Sequence, residues 1–407
     1  QIVANPKETI DFDFDKNEAI NNKVTQLGSD GKLVLCKNGQ VYHVNLIEKF
    51  LVLFLAKICN LVPGSGIWLN TQRPEWNDAN NALVGFGTSM VTVYYMKRFL
   101  SFIHSVLKKE NSKNIDVSIE VINWFNSVHE IISDSQSKSR NNENNNQSLM
   151  EYISKLGNAF SDYRTVVYDN GFSGKKELAI EMIRDFIDKM MAELDHTIML
   201  NKDSNGFYHA YNTINIDKKE NSVEINQLGL MLEGQVAALS SGLLNIDDSI
   251  KLLESLFKSE LYREDMNSFI LYPKKDVTPF LTKNIISSKD ISKSRLLTKM
   301  LQKDDHSLIE QDAEGLVRFN PDFRNSFDLE AKLVKLKNND SFESLVTEEN
   351  DLILEIYENV FNHQNYTGRS GTMFSYEGIG SIYWHMVSKL LLAVQEIYFT
   401  AVKLDEP

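Results

Sequence analysis

Leu228-Gly-Leu-Met-Leu-Glu-Gly-Gln-Val-Ala-Ala-Leu-Ser-Ser-Gly242 is apolar nearly all round, the pattern of a helix with neighbours on every side. Residues 246–259 follow at once with an amphipathic pattern, so the two stretches read as an inner helix and its outer partner. The same alternation extends outward. Residues 45–61 place Leu46, Phe50, Leu51, Phe54, Leu55 and Ile58 at helical spacing. Thr88 or Ser89 can cap a helix running to residue 109. Further helices are expected over 116–133, 148–167, 175–199, 342–361 and 376–402.

Counted along the chain, this periodicity gives about ten helices, with no short internal repeat. An all-α toroid of helical hairpins fits inner and outer pairs better than a four-helix bundle does. Residues 1–44 then form a polar lead-in, and residues 45–407 the helical domain. The lead-in holds a possible hairpin around Asn38-Gly39, and a small β-hairpin is expected to be inserted within 201–226. Residues 135–147, SQSKSRNNENNNQ, have the composition of an exposed loop, and 262–286 reads as irregular.

The 407 residues carry 43 Lys and Arg against 56 Asp and Glu, a net charge of −13. That balance argues against nucleic acid or an anionic membrane surface as the main partner. No apolar run reaches the roughly 18 residues of a membrane span. Cys36 and Cys59 indicate neither a disulfide framework nor a metal site, and the eight histidines show no paired ligand spacing. No cofactor and no metal are expected. The compartment stays open between cytoplasm and periplasm.

Two stretches carry chemistry. Arg73-Pro-Glu-Trp-Asn-Asp-Ala-Asn-Asn81 packs two carboxylates, an indole, three amides and a guanidinium into nine residues. The preceding 63–70 has the turn residues of a loop. Planar donors and acceptors suit sugar hydroxyls, indole faces suit pyranose rings, and a carboxylic acid beside a bridging oxygen suits glycoside cleavage. Glu75 and Asp78 are both candidates for that acid. The second stretch, residues 362–385, contains Tyr376-Glu377-Gly378-Ile379-Gly380. Ser375 can cap the last helix and put Glu377 in its first turn, where the dipole favours an ionised carboxylate. That is the state a general base needs. Glu233, on the very apolar helix, would need a partner if buried and could line a sugar pocket.

Trp76-Asn77-Asp78 resembles the Trp-Asn-Asp motif of inverting disaccharide phosphorylases of the cellobiose phosphorylase kind. The chain from Asn45 onward resembles the wider group of six-hairpin, (α/α)6-toroid glycosidases, which includes trehalases and glucoamylases. Tyr376-Glu-Gly-Ile-Gly380 is similar to the Glu-Gly-Phe-Gly run of trehalases, and Arg369-Ser-Gly-Thr372 to the Gly-Thr loop that cradles phosphate in the phosphorylases.

The resemblance implies an inverting carbohydrate-active enzyme. Asp78 would be the general acid and Glu377 the base that activates water, about 6.5–9.5 Å apart. Candidate sugar contacts are Arg73, Gln72, Trp76, Asn77, Asn81, Trp68, Tyr376, Trp384, His385 and Glu233. Hydrolysis of a disaccharide or oligosaccharide is the leading expectation. Phosphorolysis is the alternative, with Arg369, Ser370, Gly371, Thr372 and His363 binding phosphate. A third possibility is a toroid that binds glycans without turnover. Only 77 residues precede Asp78, fewer than a complete toroid would place there. The remaining hairpins and a β-sandwich are therefore expected from an N-terminal part of the same protein.

Overall fold

The computed structural model describes residues 12–36, 38–70, 83–139, 146–217, 221–273, 279–362, 366–367, 373–374 and 383–404. By its internal contacts the chain divides into two compact units, Gln1–Pro273 with Ile379–Pro407, and Lys274–Gly378.

The first unit begins with α1 (Phe14–Leu27), capped by Asp13, and a short 3-10 turn. A single bridge, Leu35 to Val41, closes the expected turn around Asn38-Gly39. Helix α2 (Leu46–Ile58) starts where Asn45 accepts from the Glu48 amide at 2.8 Å. It buries Phe50, Leu51, Phe54, Leu55 and Ile58, the 3–4 spacing expected of its apolar face.

Strands β1 (Leu61–Val62) and β2 (Gly66–Trp68) follow as a tight hairpin, in place of the loop expected over 63–70. Gly66 at φ +123° permits that turn, and a Cβ there would lie 2.8 Å from the Ser89 carbonyl carbon. Strand β3 (Gly87–Ser89) leads into α3 (Met90–Leu107), whose first turn Ser89 caps by accepting from Thr92 at 3.1 Å.

Strand β4 (Asn114–Ser118) and helix α4 (Ile119–Ser139) come next, then α5 (Asn146–Asn170), β5 (Lys175–Ala179) and α6 (Ile180–Leu200). This corrects two expectations. The first turns of the helices expected over 116–133 and 175–199 are strands, paired antiparallel from Asn114–Ala179 to Ser118–Lys175. Helix α4 also runs through Ser139, into the stretch expected as a loop, while residues 140–145 lie outside the described residues. Strong apolar periodicity before it carried the helix past its polar composition.

Strands β6 (Tyr211–Asp217) and β7 (Ser222–Gln227) form the hairpin expected within 201–226. It is joined to β3, giving an antiparallel sheet in the order β1-β2-β3-β6-β7. Helix α7 (Leu232–Ser240) is buried on nearly every side, as its all-apolar surface requires. Helix α8 (Ile246–Phe257) is its amphipathic successor. Short strands β8 (Tyr262–Arg263) and β9 (Ser268–Phe269) close this part.

The second unit holds α9 (Phe280–Lys283), α10 (Ser288–Lys293), α11 (Arg295–Lys303), the hairpin β10 (Ile309–Gln311) and β11 (Val317–Phe319), α12 (Ser326–Leu336), α13 (Glu343–Phe361), β12 (Tyr366–Thr367) and β13 (Met373–Phe374). Its own core gathers Leu296, Leu297, Met300, Phe319, Leu333, Phe342, Ile353 and Tyr357. The Glu349 carboxylate on α13 accepts from the Ser294 hydroxyl at 2.7 Å and the Leu296 amide at 3.0 Å. A buried acid from one helix thereby satisfies the start of another.

The chain then returns to the first unit with α14 (Tyr383–Leu404). Its Met386, Leu390 and Ala393 join the same core as α2, α3, α4, α6 and α7.

Candidate active site

Arg73, Trp76, Asn77, Asp78 and Asn81 fall in the connection between β2 and β3, outside the described residues; so do Gln72 and Glu75. His363, Arg369, Ser370, Gly371, Thr372, Tyr376 and Glu377 lie outside them as well. What is described is the frame on which the first of these stretches is mounted. Strand β2 leaves the sheet at Trp68, paired with Thr88, and the amide of Leu69 donates to the Gly87 carbonyl at 2.9 Å. The Gly85 amide returns a bond to Leu69 at 2.7 Å. Both ends of the connection are therefore pinned to one hairpin.

A buried polar network holds that hairpin. The Ser65 and Thr88 hydroxyls are 2.8 Å apart. Asn212 donates to the Ser65 carbonyl and to the Asn201 side chain, each at 2.6 Å, and Asn201 donates to the Gly64 carbonyl at 2.8 Å. Ser65, Thr88, Asn201 and Asn212 are fully buried. In a low-dielectric interior such a network fixes geometry, because every broken bond leaves an unsatisfied polar group.

Trp68 belongs to this frame. It is 5% exposed, packs with Val62, Met150, Ile153, Ile214 and Val223, and donates its indole N–H to the Gly85 carbonyl at 3.2 Å. Its ring thus anchors the sheet. Trp384 and His385, at the start of α14, are exposed.

Glu233 is buried in the first turn of α7, and Tyr211 at the start of β6 donates its phenolic hydroxyl to the Glu233 Oε2 at 3.0 Å. The turn is held there by its neighbours. Gly234 lies so close to the chain at Tyr208 that a Cβ would sit 2.3 Å from that carbonyl oxygen. Gln235 accepts from the Tyr208 amide at 2.9 Å and donates to its carbonyl at 2.7 Å. Leu-Glu-Gly-Gln is thus a docking motif for α7 as well as the carrier of an acid.

Around Glu233, burial and then the Glu233 charge raise the Tyr95 phenol above its usual range. One helical turn along α3, Arg98 makes a bidentate pair with Glu396 on α14, at 2.7 and 2.8 Å. Tyr95, Tyr211, Arg98 and Glu396 carry no recognisable motif, and the packing of α7 against α3 and α14, with β6 against α3, brings their elements together. Register adds one more link. Ser89 pairs with both Ile67 and Tyr211, so the hairpin that carries the Asp78 connection and the tyrosine that holds Glu233 share a sheet.

Two further polar stretches have local roles. Asp312 accepts from the Glu314 and Leu316 amides at 2.9 Å and pairs with Arg318, closing the β10–β11 turn. Arg263 pairs with Asp265 at 2.7 Å on the surface. Among the described residues, no group of three His, Cys, Asp or Glu could hold a metal ion, and no helix is long and apolar enough to cross a membrane.

A family model described as GH149 phosphorylase insertion domain 2 matches residues 277–364. The match falls inside the second unit, Lys274–Gly378. It points to a carbohydrate-active, phosphorylase-like protein. No curated protein matches the chain.

Proposed function

We propose that the protein is an inverting phosphorylase acting on a disaccharide or oligosaccharide. The observation that carries this reading is the match of residues 277–364 to an insertion domain of a phosphorylase. It favours phosphorolysis over the hydrolysis expected from Glu377. On this reading a phosphate oxygen attacks the anomeric carbon as the bond to the leaving oxygen breaks. Asp78 gives its proton to that oxygen, and a sugar 1-phosphate of inverted configuration leaves. Arg369, Ser370, Thr372, His363 and the Gly371 amide hold the phosphate, which suits a guanidinium fork and convergent N–H donors. Arg73, Trp76, Asn77, Asn81, Tyr376, His385 and Glu233 serve the sugar. The first unit forms part of an (α/α)6 toroid.

Hydrolysis is the second reading, favoured by the similarity of residues 376–380 to the Glu-Gly run of trehalases. Glu377 would then orient water where phosphate would otherwise attack. Incubation with a panel of oligosaccharides, with and without inorganic phosphate, separates the two. Phosphate-dependent release of a sugar 1-phosphate supports the first. Phosphate-independent release of reducing sugar supports the second. No turnover of any member under either condition removes both.

A further inference from the structure

Two helices of the first unit begin against the stretch between α6 and β6. The Ala210 carbonyl accepts from the first two amides of α3, Met90 at 2.9 Å and Val91 at 3.2 Å. The first turn of α7 rests on the same residues, since a Cβ on Gly234 would lie 3.0 Å from the Ala210 nitrogen and 3.1 Å from the His209 carbonyl carbon. Arg98 on α3 reaches the Ser240 carbonyl at the far end of α7, at 3.4 Å, so the two helices run side by side in one direction. The β2–β3 connection, whose sequence includes Asp78, ends at the start of α3, and Glu233 opens α7. His209 stands where these two acid-bearing segments are anchored.

Three of its four polar groups are satisfied. The His209 amide donates to the Asn201 carbonyl at 3.0 Å, its carbonyl accepts from the Tyr94 hydroxyl at 3.0 Å, and Nδ1 lies 2.8 Å from the Leu228 carbonyl. A carbonyl can only accept, so the ring hydrogen sits on Nδ1 and the neutral ring presents a lone pair at Nε2. Nε2 is buried and has no hydrogen-bond partner. An acceptor left unmet in the interior costs stability, and native proteins keep such atoms mainly where function uses them.

We propose that His209 is a sugar-binding residue whose Nε2 accepts a hydrogen bond from one hydroxyl of the saccharide. The inference rests on the carbohydrate reading above and adds a residue to it that no motif marks. The chemistry selects the ligand. A sugar hydroxyl can donate to a lone pair, whereas phosphate presents negatively charged acceptor oxygens that a second acceptor repels. Two residues on, the Tyr211 hydroxyl is already given to Glu233, which leaves the histidine nitrogen as the open acceptor of this stretch. Its position is set before any sugar arrives. Asn201, Tyr94 and Leu228 hold His209 itself, and Gln235 holds both backbone groups of the preceding Tyr208. Such preorganisation is what a binding contact needs.

Kinetics of the full chain test this, with a saccharide that it cleaves and with the monodeoxy analogues of that saccharide. His209→Asn keeps a donor for the Leu228 carbonyl and removes the Nε2 acceptor. It should lower kcat/KM about tenfold, chiefly through KM, with circular dichroism like the parent's. The parent should lose about as much against one monodeoxy analogue, and His209→Asn should treat that analogue and the intact sugar alike. A merely structural histidine would not produce that match. His209→Gln places an acceptor near the Nε2 position and should recover part of the loss; where His209→Asn does not fold, the same comparison of analogues on His209→Gln decides. A KM unchanged by the substitution overturns the proposal, as does a variant that ranks every deoxy analogue as the parent does. Either result leaves the carbohydrate reading standing. A parent chain that cleaves no saccharide removes that reading, and this inference with it.

Discussion

The Tyr211 hydroxyl donates to the Glu233 carboxylate at 3.0 Å, inside a contact between the five-stranded sheet and the most buried helix of the first unit. A carboxylate in that setting must be satisfied by its neighbours, since burial takes away its water. Tyr211→Phe removes the donor and keeps the ring. It is expected to cost about 1–3 kcal/mol of stability, read from the urea midpoint. If Glu233 also meets the sugar, Glu233→Gln should raise KM more than it destabilises the fold. An unchanged KM would confine Glu233 to a structural role.

The second unit has its own core and its own helix caps, so residues 274–378 expressed alone should melt cooperatively. Phe319 is fully buried, stacks edge-on against Tyr357 at 4.9 Å, and its backbone amide and carbonyl are both bonded to Asn284. Phe319→Ala should cost about 3–5 kcal/mol in that isolated unit. A loss below 1 kcal/mol would mean that the core is not formed in isolation.

Two carboxyl groups should give opposite pH slopes. The Arg324 guanidinium and then its backbone amide hold Asp328 down at about 2. Its folded value is depressed, so its stabilisation is present above the unfolded value of about 4 and is lost as pH falls toward 2. Asp328→Asn should flatten the acid limb of the stability curve. Burial pushes Glu193 upward, only partly opposed by His196. Ionising it in the folded state costs stability as pH rises above about 4, and Glu193→Gln should remove that loss. Urea midpoints measured against pH would show either slope, and parallel curves for variant and parent would refute the assignment.

The proposed chemistry separates its acids by substitution. Asp78→Asn should lower turnover by about 10³-fold or more whichever nucleophile is used, because the leaving oxygen loses its proton donor. Glu377→Gln should leave phosphorolysis within about tenfold and abolish hydrolysis, since only water needs a base. Assays of both variants with phosphate present give the answer.

The helices were legible where a cap and a period agree. Asn45 before Leu46 and Ser89 before Met90 are both seen capping, and Phe50 to Ile58 are buried as spaced, whereas Leu46, Phe99, Phe102 and Val106, also expected inside, are exposed. The β4–β5 ladder was not legible, because Ser118 finds Lys175 across 56 intervening positions and nothing local announces it. Nor did any break in composition set residues 274–378 apart, since an inserted unit with a normal core looks like more of the same chain. At the site, Glu233 was recognisable as an acid on an apolar helix. Tyr95 and Tyr211 were not, because their part depends on contacts between elements far apart in sequence. The motif residues around Asp78 and Glu377 fall outside the described residues.

The return of α14 to the first unit has a consequence for synthesis. Met386, Leu390 and Ala393 are made after the whole inserted unit, yet they complete a core begun near Phe50. The first unit therefore cannot close on the ribosome until the entire inserted unit has emerged. During that interval the face of α7 that α14 will cover stays open. Chains that stall within the insertion should be the aggregation-prone products of translation, whereas the insertion itself, complete earlier, should already be folded.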